Sequence, residues 1–340
     1  MSYDIWFLND QGPLGERRSV TDKHPSRTAV IALGGNAITL EGQSGTYEEM
    51  LANCQGMVKS IAAIHEAGWR VVITHGNGPQ VGNLAVQQDE AELLVPGLPL
   101  YALGAMTQGL VGHLIETALL NERGHDIGSI VSVVTHVDVD PQDPAFSNPT
   151  KPIGPFYTLE QAQKRSARTG QPIIEDSGRG YRVVVASPRP RRVLERDAIT
   201  ALVEQGFMVI AGGGGGVPVV DDQGTIRGVN AVIDKDRAAA LLAAELKADA
   251  LVLVTGVDTV LLDFGKPTQR ELNVATADEM RTHAQDGQFP AGSMGPKVEA
   301  AIDFVDARDG VAVITSANLM SAALDSLTGP GTHIVRSIGA

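Results

Sequence analysis

The sequence predicts an α/β protein in which a mainly parallel central sheet is covered by helices on both faces, a three-layer α/β/α sandwich. Continuous apolar runs of about five or six residues, typical of strands buried on both faces, alternate with segments of helical periodicity. The chain has 340 residues and is 43% hydrophobic, which is enough for a large core. Residues 137–190 break the alternation with proline and charge, and we expect them to form an inserted subdomain that protrudes from the sheet.

The elements follow one another in a regular order. The predicted strands are the apolar runs at residues 28–33, 70–74, 129–134, 207–211, 250–255 and 311–316. The predicted helices cover residues 50–64, 105–120, 193–205, 237–246 and 297–305. The first 27 residues are mixed and polar, so we interpret them as an N-terminal extension ahead of one domain over residues 28–340.

Composition and charge limit the class of partner. A formal net charge of −13 argues against nucleic acid and against an anionic membrane surface. No apolar run approaches the roughly 18–20 residues of a membrane span, and the first residues do not resemble a signal peptide. The single cysteine, Cys54, is expected in the core and fits a cytoplasmic protein. Because only eight residues are lysines, an anionic substrate requires cations that are arranged locally.

Three glycine-rich turns each follow a predicted strand: Gly34-Gly35-Asn36, His75-Gly76-Asn77-Gly78 and the run from Gly212 to Gly216. Ligands of open α/β sheets bind at the carboxyl ends of the strands, where glycine lets backbone N–H groups converge on an anion. One such turn alone is most simply a tight connection between a strand and a helix. Three at equivalent places predict a phosphate or carboxylate site, although these turns lack the usual P-loop and dinucleotide signatures.

Two lysines stand in unusual positions. Lys235 lies between two aspartates at the start of a strong helical segment, and Lys297 follows Pro296 in the first turn of another. A cation there opposes the helix dipole by ~0.3–1 kcal/mol. Either lysine alone is most simply a surface residue with its ammonium group in water. Together they predict a negatively charged ligand between two helix ends, with Asp236 orienting both ammonium groups.

The sequence resembles the carbamate kinases of the amino-acid kinase superfamily from about residue 28 to its end. The resemblance is carried by the segments ALGGNA (32–37), HGNGPQVGN (75–83), AMTQG (105–109), NPTKPIGPF (148–156), EDSGRGYR (175–182), GGGGVPVV (213–220), AVIDKD (231–236), VTGVD (254–258) and GSMGPK (292–297). It implies the amino-acid kinase fold, a homodimer, and a reversible, magnesium-dependent reaction in which carbamoyl phosphate and ADP give carbamate and ATP.

The resemblance implies catalytic and binding roles for particular residues. Lys235 and Lys297 would stabilise the transferring phosphoryl group, and Asp236 would position them as the third member of the catalytic set. Lys151 would close the carbamoyl site from the inserted subdomain; the alternative is a lysine on the rim of the site. The expected substrate-binding residues are Gly34, Gly35, Asn36, Gly76, Asn77, Gly78, Lys151, Gly213 and Gly214. The expected nucleotide-binding residues are Thr255, Gly256, Val257, Asp258, Ser293 and Met294. Mg²⁺ would bridge ADP phosphate oxygens and water without a protein ligand.

Two other functions stay open on the sequence. One is a related kinase acting on another small carboxylate or carbamoyl-like acid, since Tyr101 and His136 stand where carbamate kinases commonly have Asp and Gln. The other is a nucleotide-binding regulatory protein that has lost turnover. Retention of Lys235, Asp236 and Lys297 argues against the second.

Overall fold

The structure, a computed structural model, describes residues 27–40, 42–176, 178–290 and 292–337. The N-terminal extension predicted at residues 1–27 lies outside the described residues except for Arg27. The strands are β1 (Thr28–Leu33), β2 (Arg70–His75), β3 (Ile130–Ser132), β4 (His136–Val139), β5 (Lys151–Tyr157), β6 (Ile173–Glu175), β7 (Tyr181–Val185), β8 (Pro190–Val193), β9 (Met208–Ile210), β10 (Val217–Asp222), β11 (Thr225–Gly228), β12 (Ala250–Thr255), β13 (Val260–Leu262), β14 (Arg270–Leu272), β15 (Val274–Thr276), β16 (Val311–Ser316) and β17 (Thr332–Val335).

Among the described residues, seven of these strands are followed by an α-helix. The α-helices are α1 (Gly35–Ile38), α2 (Tyr47–Glu66), α3 (Gly78–Ala91), α4 (Leu100–Arg123), α5 (Leu159–Thr169), α6 (Arg196–Glu204), α7 (Lys235–Glu245), α8 (Ala277–Gln285), α9 (Met294–Ala307) and α10 (Met320–Ala323). Short 3₁₀ turns lie at Gly124–Ile127, Pro144–Phe146 and Gly213–Gly215. In the described part of the chain, no helix is both long and apolar enough to span a bilayer.

The central sheet has eight strands in the order β15-β17-β16-β12-β1-β2-β9-β3. Its neighbouring strands are parallel except for the antiparallel pair of β16 and β17. Val30 and Ala32 of β1 belong to the core cluster that contains buried residues of α6, α7, α8 and α9, whereas the alternate residues Ala29 and Ile31 belong to the cluster with α2, α4 and α10. Helices therefore cover both faces, and the predicted three-layer α/β fold is confirmed.

Element bounds agree best with the prediction where a strand is buried on both sides. The strands predicted at 28–33, 250–255 and 311–316 have those bounds. The helix predicted at 105–120 is longer, at Leu100–Arg123, and the one predicted at 193–205 is shorter because its first residue belongs to β8. Cys54 lies in the core, and burial raises the pKa of its thiol to about 12.

The segment predicted as an insertion contributes to two further sheets. β4 and β8 join a four-stranded sheet in the order β11-β10-β4-β8, while β5, β7 and β6 form a separate antiparallel sheet. Helix α5 packs on this smaller sheet. The apolar core of the sheet contains Ile153, Val183 and Val232. Gly82 of α3 approaches Gly154 of β5 so closely that a β-carbon on Gly82 would lie 2.1 Å from Cα of Gly154. Residues 151–185, the inserted sheet, therefore rest directly on α3.

Candidate active site

The first two glycine turns touch each other at one edge of the central sheet. The register of β1 and β2 pairs Leu33 with His75, so the residues after them lie side by side. A β-carbon on Gly76 would lie 2.5 Å from the backbone nitrogen of Gly35 and 3.2 Å from Cδ of Lys235. A side chain at Gly76 would therefore separate the two turns and displace the lysine. Asn36 lies in the first turn of α1, and Gly78 is the first residue of α3.

The third glycine turn packs behind the second. A β-carbon on Gly213 would lie 2.3 Å from Nε2 of His75, and one on Gly214 would lie 2.2 Å from Nδ2 of Asn77. Gly214 also has a φ of +66°, a backbone conformation that side chains disfavour. This buried turn needs glycine because it packs against His75 and Asn77. Substrate contact by Gly213 and Gly214 stays a prediction.

The start of α7 carries the central charges of the site. Asp234 caps the helix, with its Oδ1 accepting hydrogen bonds from the backbone nitrogens of Asp236 at 3.0 Å and Arg237 at 3.4 Å. The Lys235 ammonium group donates to Oδ1 of Asp236 at 2.5 Å. Lys297, from the first turns of α9, donates to Oδ2 of the same carboxylate at 2.9 Å. Asp236 therefore joins two lysines from two helices, as the sequence predicted.

Burial decides between the two interpretations of these lysines. The side chains of Lys235 and Lys297 are each 13% exposed, and that of Asp236 is 5% exposed. A lysine with its head in bulk water would be far more exposed, so the surface interpretation is wrong for both. Buried ammonium groups are costly unless they meet negative charge, which here comes from one shared carboxylate. Two positive charges on one negative charge leave the cluster ready for an anion.

The ionisation of the cluster follows from burial and proximity. Burial lowers the pKa of Lys235; the Asp236 carboxylate opposes this shift, and the charge of Lys297 adds to it. Burial would raise the pKa of Asp236, but the two ammonium groups outweigh it and hold that pKa below its ordinary value. Asp236 is therefore ionised, and its carboxylate orients the ammonium groups of Lys235 and Lys297.

Lys151 reaches the same helix start from the inserted sheet. It is the first residue of β5, and its ammonium group donates to Oδ2 of Asp234 at 2.6 Å. Its side chain is 34% exposed, compared with 11% for Asp234. Lys151 is thus brought to the residue that precedes Lys235. Its carbamoyl-binding role stays a prediction, as does the alternative of a rim lysine.

The residues predicted to bind nucleotide lie at the same edge of the sheet. Thr255 ends β12, and residues 256–258 form the bend that follows it. A β-carbon on Gly34 would lie 3.6 Å from the carbonyl oxygen of Val254, so this strand end adjoins the first glycine turn. Ser293 and Met294 form the N-cap and first residue of α9, which carries Lys297 three residues later.

The sequence did not reveal the polar side chains that support the second and third glycine turns through hydrogen bonds. The side-chain amide of Asn77 donates to the hydroxyl of Thr107 in α4 at 2.8 Å. Gln108, next in α4, exchanges two hydrogen bonds with the backbone of Thr135, whose hydroxyl accepts from the nitrogen of Gly212 at 2.9 Å. The AMTQG segment was the available signal, since its Thr and Gln are flanked by apolar residues and glycines.

His75 belongs to this supporting layer. The residue is 1% exposed, and Nδ1 donates to the carbonyl oxygen of Gly76 at 3.0 Å. Burial lowers its pKa to about 4, partly opposed by that hydrogen bond and helped by the charge of Lys235. The ring is therefore neutral near pH 7 and acts as a fixed hydrogen-bond donor.

The two departures from the usual carbamate kinase pattern have local partners. The ring of Tyr101 packs on Gly228 of β11, where a β-carbon would lie 2.5 Å from the ring. His136 donates from Nδ1 to Glu195 at 2.8 Å, and the same carboxylate accepts from the backbone nitrogen of His136 at 2.7 Å. Both side chains are explained by packing or pairing within the small sheets and α6.

Comparison with known proteins identifies the family of the chain. The model of the amino acid kinase family matches residues 27–316. A carbamate kinase of Thermococcus kodakarensis is 48% identical over 316 residues, covering 91% of this chain and 99% of the relative. The chain belongs to the carbamate kinases of the amino acid kinase family.

Solved structures extend the comparison to three dimensions. The carbamate kinase of Giardia lamblia bound to citric acid matches with a TM-score of 0.86 at 41% identity, covering 92% of this chain and 99% of that one. The same enzyme bound to AMP-PNP matches with a TM-score of 0.83 at 42% identity and equal coverage. Family membership makes this chain a phosphotransferase, and the regulatory protein without turnover is not supported.

Proposed function

We propose that this carbamate kinase family member catalyses reversible phosphoryl transfer between carbamoyl phosphate and ADP, giving carbamate and ATP. The observation that carries the proposal is the pair of buried ammonium groups on Asp236, at 2.5 and 2.9 Å, beside the glycine turns. In the forward direction a terminal phosphate oxygen of ADP attacks phosphorus, the bond from phosphorus to the carbamoyl oxygen breaks, and carbamate leaves with that electron pair.

The reaction requires charge stabilisation and alignment instead of proton transfer. The attacking phosphate and the leaving carbamate are both ionised near neutral pH, so no general base is needed. An ammonium group has three N–H donors, and within the described residues Lys235 and Lys297 each use one on Asp236. The remaining donors are available to the phosphoryl oxygens, where preorganised positive charge stabilises the transition state.

The two substrates would approach from different sides of the lysine pair. We assign the carbamoyl side to Lys151 and to the backbone of Gly34, Gly35, Asn36, Gly76, Asn77 and Gly78, with Gly213 and Gly214 behind them. We assign the nucleotide to Thr255, Gly256, Val257, Asp258, Ser293 and Met294. A relative solved with AMP-PNP supports a nucleotide site in this fold.

We propose that Mg²⁺ enters as part of the nucleotide substrate. Within the described residues, no group of three or more His, Cys, Asp or Glu side chains is placed to hold a metal ion. Both oxygens of Asp236 are occupied by lysines, and those of Asp234 by Lys151 and the helix cap. A magnesium ion bound to nucleotide phosphates and water suits such a site, because Mg²⁺ usually keeps several waters.

A homodimer is also proposed, with α4 as its principal contact. Met106, His113 and Leu120 are exposed on α4 at a spacing of seven residues, and none is acidic. Met106 is 46% exposed and Leu120 is 37% exposed, with the exposed Gly109 and His113 between them, so one face of α4 presents an uncovered, partly apolar stripe. Burying such a stripe against its symmetry copy would produce a two-fold interface.

The decisive test of the proposed activity is formation of ATP from ADP, Mg²⁺ and carbamoyl phosphate, compared with acetyl phosphate and other small acyl phosphates. We expect carbamoyl phosphate to give the highest kcat/KM. Faster turnover of another acyl phosphate would instead support a related kinase for a different small acid. No ATP from any of them would refute the proposed function.

A further inference from the structure

One carboxylate joins the inserted sheet to the helix that carries Lys235. Oδ1 of Asp234 caps α7 through the backbone nitrogens of Asp236 and Arg237, while Oδ2 accepts from Lys151 at 2.6 Å. Lys151 and Asp234 are 83 positions apart in the chain. The two oxygens of a carboxylate that is only 11% exposed thus have separate tasks.

Backbone and core contacts reinforce this connection. Ala186, just after β7, forms a parallel β-bridge with Ala231, and its carbonyl oxygen accepts from the nitrogen of Val232 at 2.9 Å. The side chain of Val232 packs with Ile153 and Val183 in the core of the inserted sheet. The segment that leads into α7 is therefore packed against the same small sheet that carries Lys151.

The ion pair leaves the ammonium group of Lys151 free to meet a ligand. Its side chain is 34% exposed, and among described residues its only hydrogen-bond partner is Asp234, so two of its three N–H donors remain. Burial would raise the pKa of Asp234, but Lys151 and then Lys235 lower it far below its ordinary value. Asp234 is thus ionised, holds Lys151 and lies within the electrostatic reach of Lys235.

We propose that Asp234 is a positioning residue that fixes the ammonium group of Lys151 beside the start of α7, so that one substrate anion meets Lys151 and Lys235 together. This inference rests on the proposed function. The helix cap and the lysine tether share one side chain, so the inserted sheet and the phosphoryl site are held in one geometry. Without the tether, Lys151 would have to be ordered by each incoming substrate, at the cost of side-chain entropy.

The substitution Asp234→Asn separates the two tasks. Asparagine caps helices about as well as aspartate, so α7 should still begin at Lys235. Its single carbonyl oxygen would serve the cap, and its NH₂ group would face Lys151 as a donor, which removes the tether. We expect the KM for carbamoyl phosphate to rise about 10- to 100-fold, as for a misplaced binding group, while the Kd for ADP changes little. The melting temperature should fall without loss of the fold at assay temperature, because the ion pair with Lys151 is lost.

Two further variants show whether the effect is specific. Asp89→Asn removes the ion pair of Asp89 with Arg165, which also fastens the inserted sheet to α3 but does not involve Lys151. We expect its KM to stay near the wild-type value. Lys151→Gln should raise the KM as Asp234→Asn does, and the double variant Asp234→Asn, Lys151→Gln should be no worse than Lys151→Gln alone.

Each outcome separates the inference from the function it rests on. Equal effects of Asp89→Asn and Asp234→Asn would mean that the sheet is merely loosened, and full additivity in the double variant would mean that Asp234 acts without Lys151. Either result, or a wild-type KM in Asp234→Asn, would overturn the inference while leaving the kinase activity in place. Absence of ATP formation by the wild-type protein would instead refute the proposed function itself.

Discussion

At the scale of single residues, the central feature is a buried carboxylate that binds the ammonium groups of two largely buried lysines. Asp236 is 5% exposed on its side chain, and Lys235 and Lys297 are 13% exposed. Breaking a buried ion pair by removing one partner typically costs about 3–5 kcal/mol, because the other charge is left uncompensated. The protein keeps this arrangement although Lys235 also opposes the dipole of α7, which is consistent with a functional constraint.

The lowered pKa of Lys235 predicts an alkaline limit to activity. Burial, opposed by Asp236 and assisted by Lys297, holds this pKa below its ordinary value of 10.5. Because only the ammonium form stabilises the phosphoryl group, kcat should fall as pH rises through the lowered pKa, earlier than an exposed lysine would allow. A pH profile of kcat, with circular dichroism to confirm folding, checks this.

The ionisation of Lys235 should affect the stability of the fold in the opposite sense to its effect on kcat. A lysine with a lowered folded-state pKa binds fewer protons in the folded state, so the free energy of unfolding rises with pH between its folded and unfolded pKa values. The depressed pKa of Asp236 contributes stability above the ordinary value of 3.8, which is lost as pH falls through the folded pKa. A kcat that stays constant up to about pH 10.5 would contradict the assigned state of Lys235.

At the scale of elements, buried parallel strands were the most predictable part of the fold. β1, β12 and β16 have the predicted bounds because they are continuously apolar and end at glycine or polar turns. Short strands such as β13 and β15 escaped prediction because three residues give too little pattern. Their pairing depends on tertiary neighbours.

The site was predictable to the extent that local sequence carried it. The glycine turns and the two lysines at helix starts could be located, because unusual residues stood at predictable ends of elements. The AMTQG segment contained Thr107 and Gln108, but their supporting role, and that of Thr135, could not be predicted because their partners are distant in the chain. The pairing of Lys151 with Asp234 was missed for the same reason.

The third glycine turn offers a matched test of close packing. Gly212 and Gly214 both have a φ of +66°, but a β-carbon on Gly212 meets its nearest atom at 3.4 Å and one on Gly214 at 2.2 Å. Gly212→Ala should cost about 1–2 kcal/mol for backbone strain alone. Gly214→Ala should cost clearly more and displace Asn77, lowering activity as well. Chemical denaturation and ATP formation measure both effects, and equal losses in the two variants would show that the contact with Asn77 does not matter.

At the scale of the whole molecule, the stripe on α4 predicts the assembly state. Sedimentation at micromolar concentration should give a species of twice 35.7 kDa. Leu120→Glu should shift it toward the monomer, because a carboxylate would be buried in the interface. Phe264→Glu is the matched control, since Phe264 is 70% exposed between β13 and β14, which form a two-stranded sheet of their own. A wild-type monomer, or dissociation by the control alone, would exclude this interface.

The whole account depends on Lys235 acting on the phosphoryl group during transfer, and single-turnover kinetics of Lys235→Ala tests this most directly. Removing one preorganised donor typically costs about 10²–10³ in kcat, whereas the Kd for ADP should change only modestly. Lys235→Arg should restore little, because a planar guanidinium does not fit the place of a compact ammonium group. Lys164→Ala, at an exposed lysine of α5, is the control for loss of a lysine as such.

The account predicts a folded Lys235→Ala variant that binds ADP and transfers the phosphoryl group about 10²–10³ times more slowly than wild type. A variant that melts like wild type and keeps more than about a tenth of its rate would contradict it.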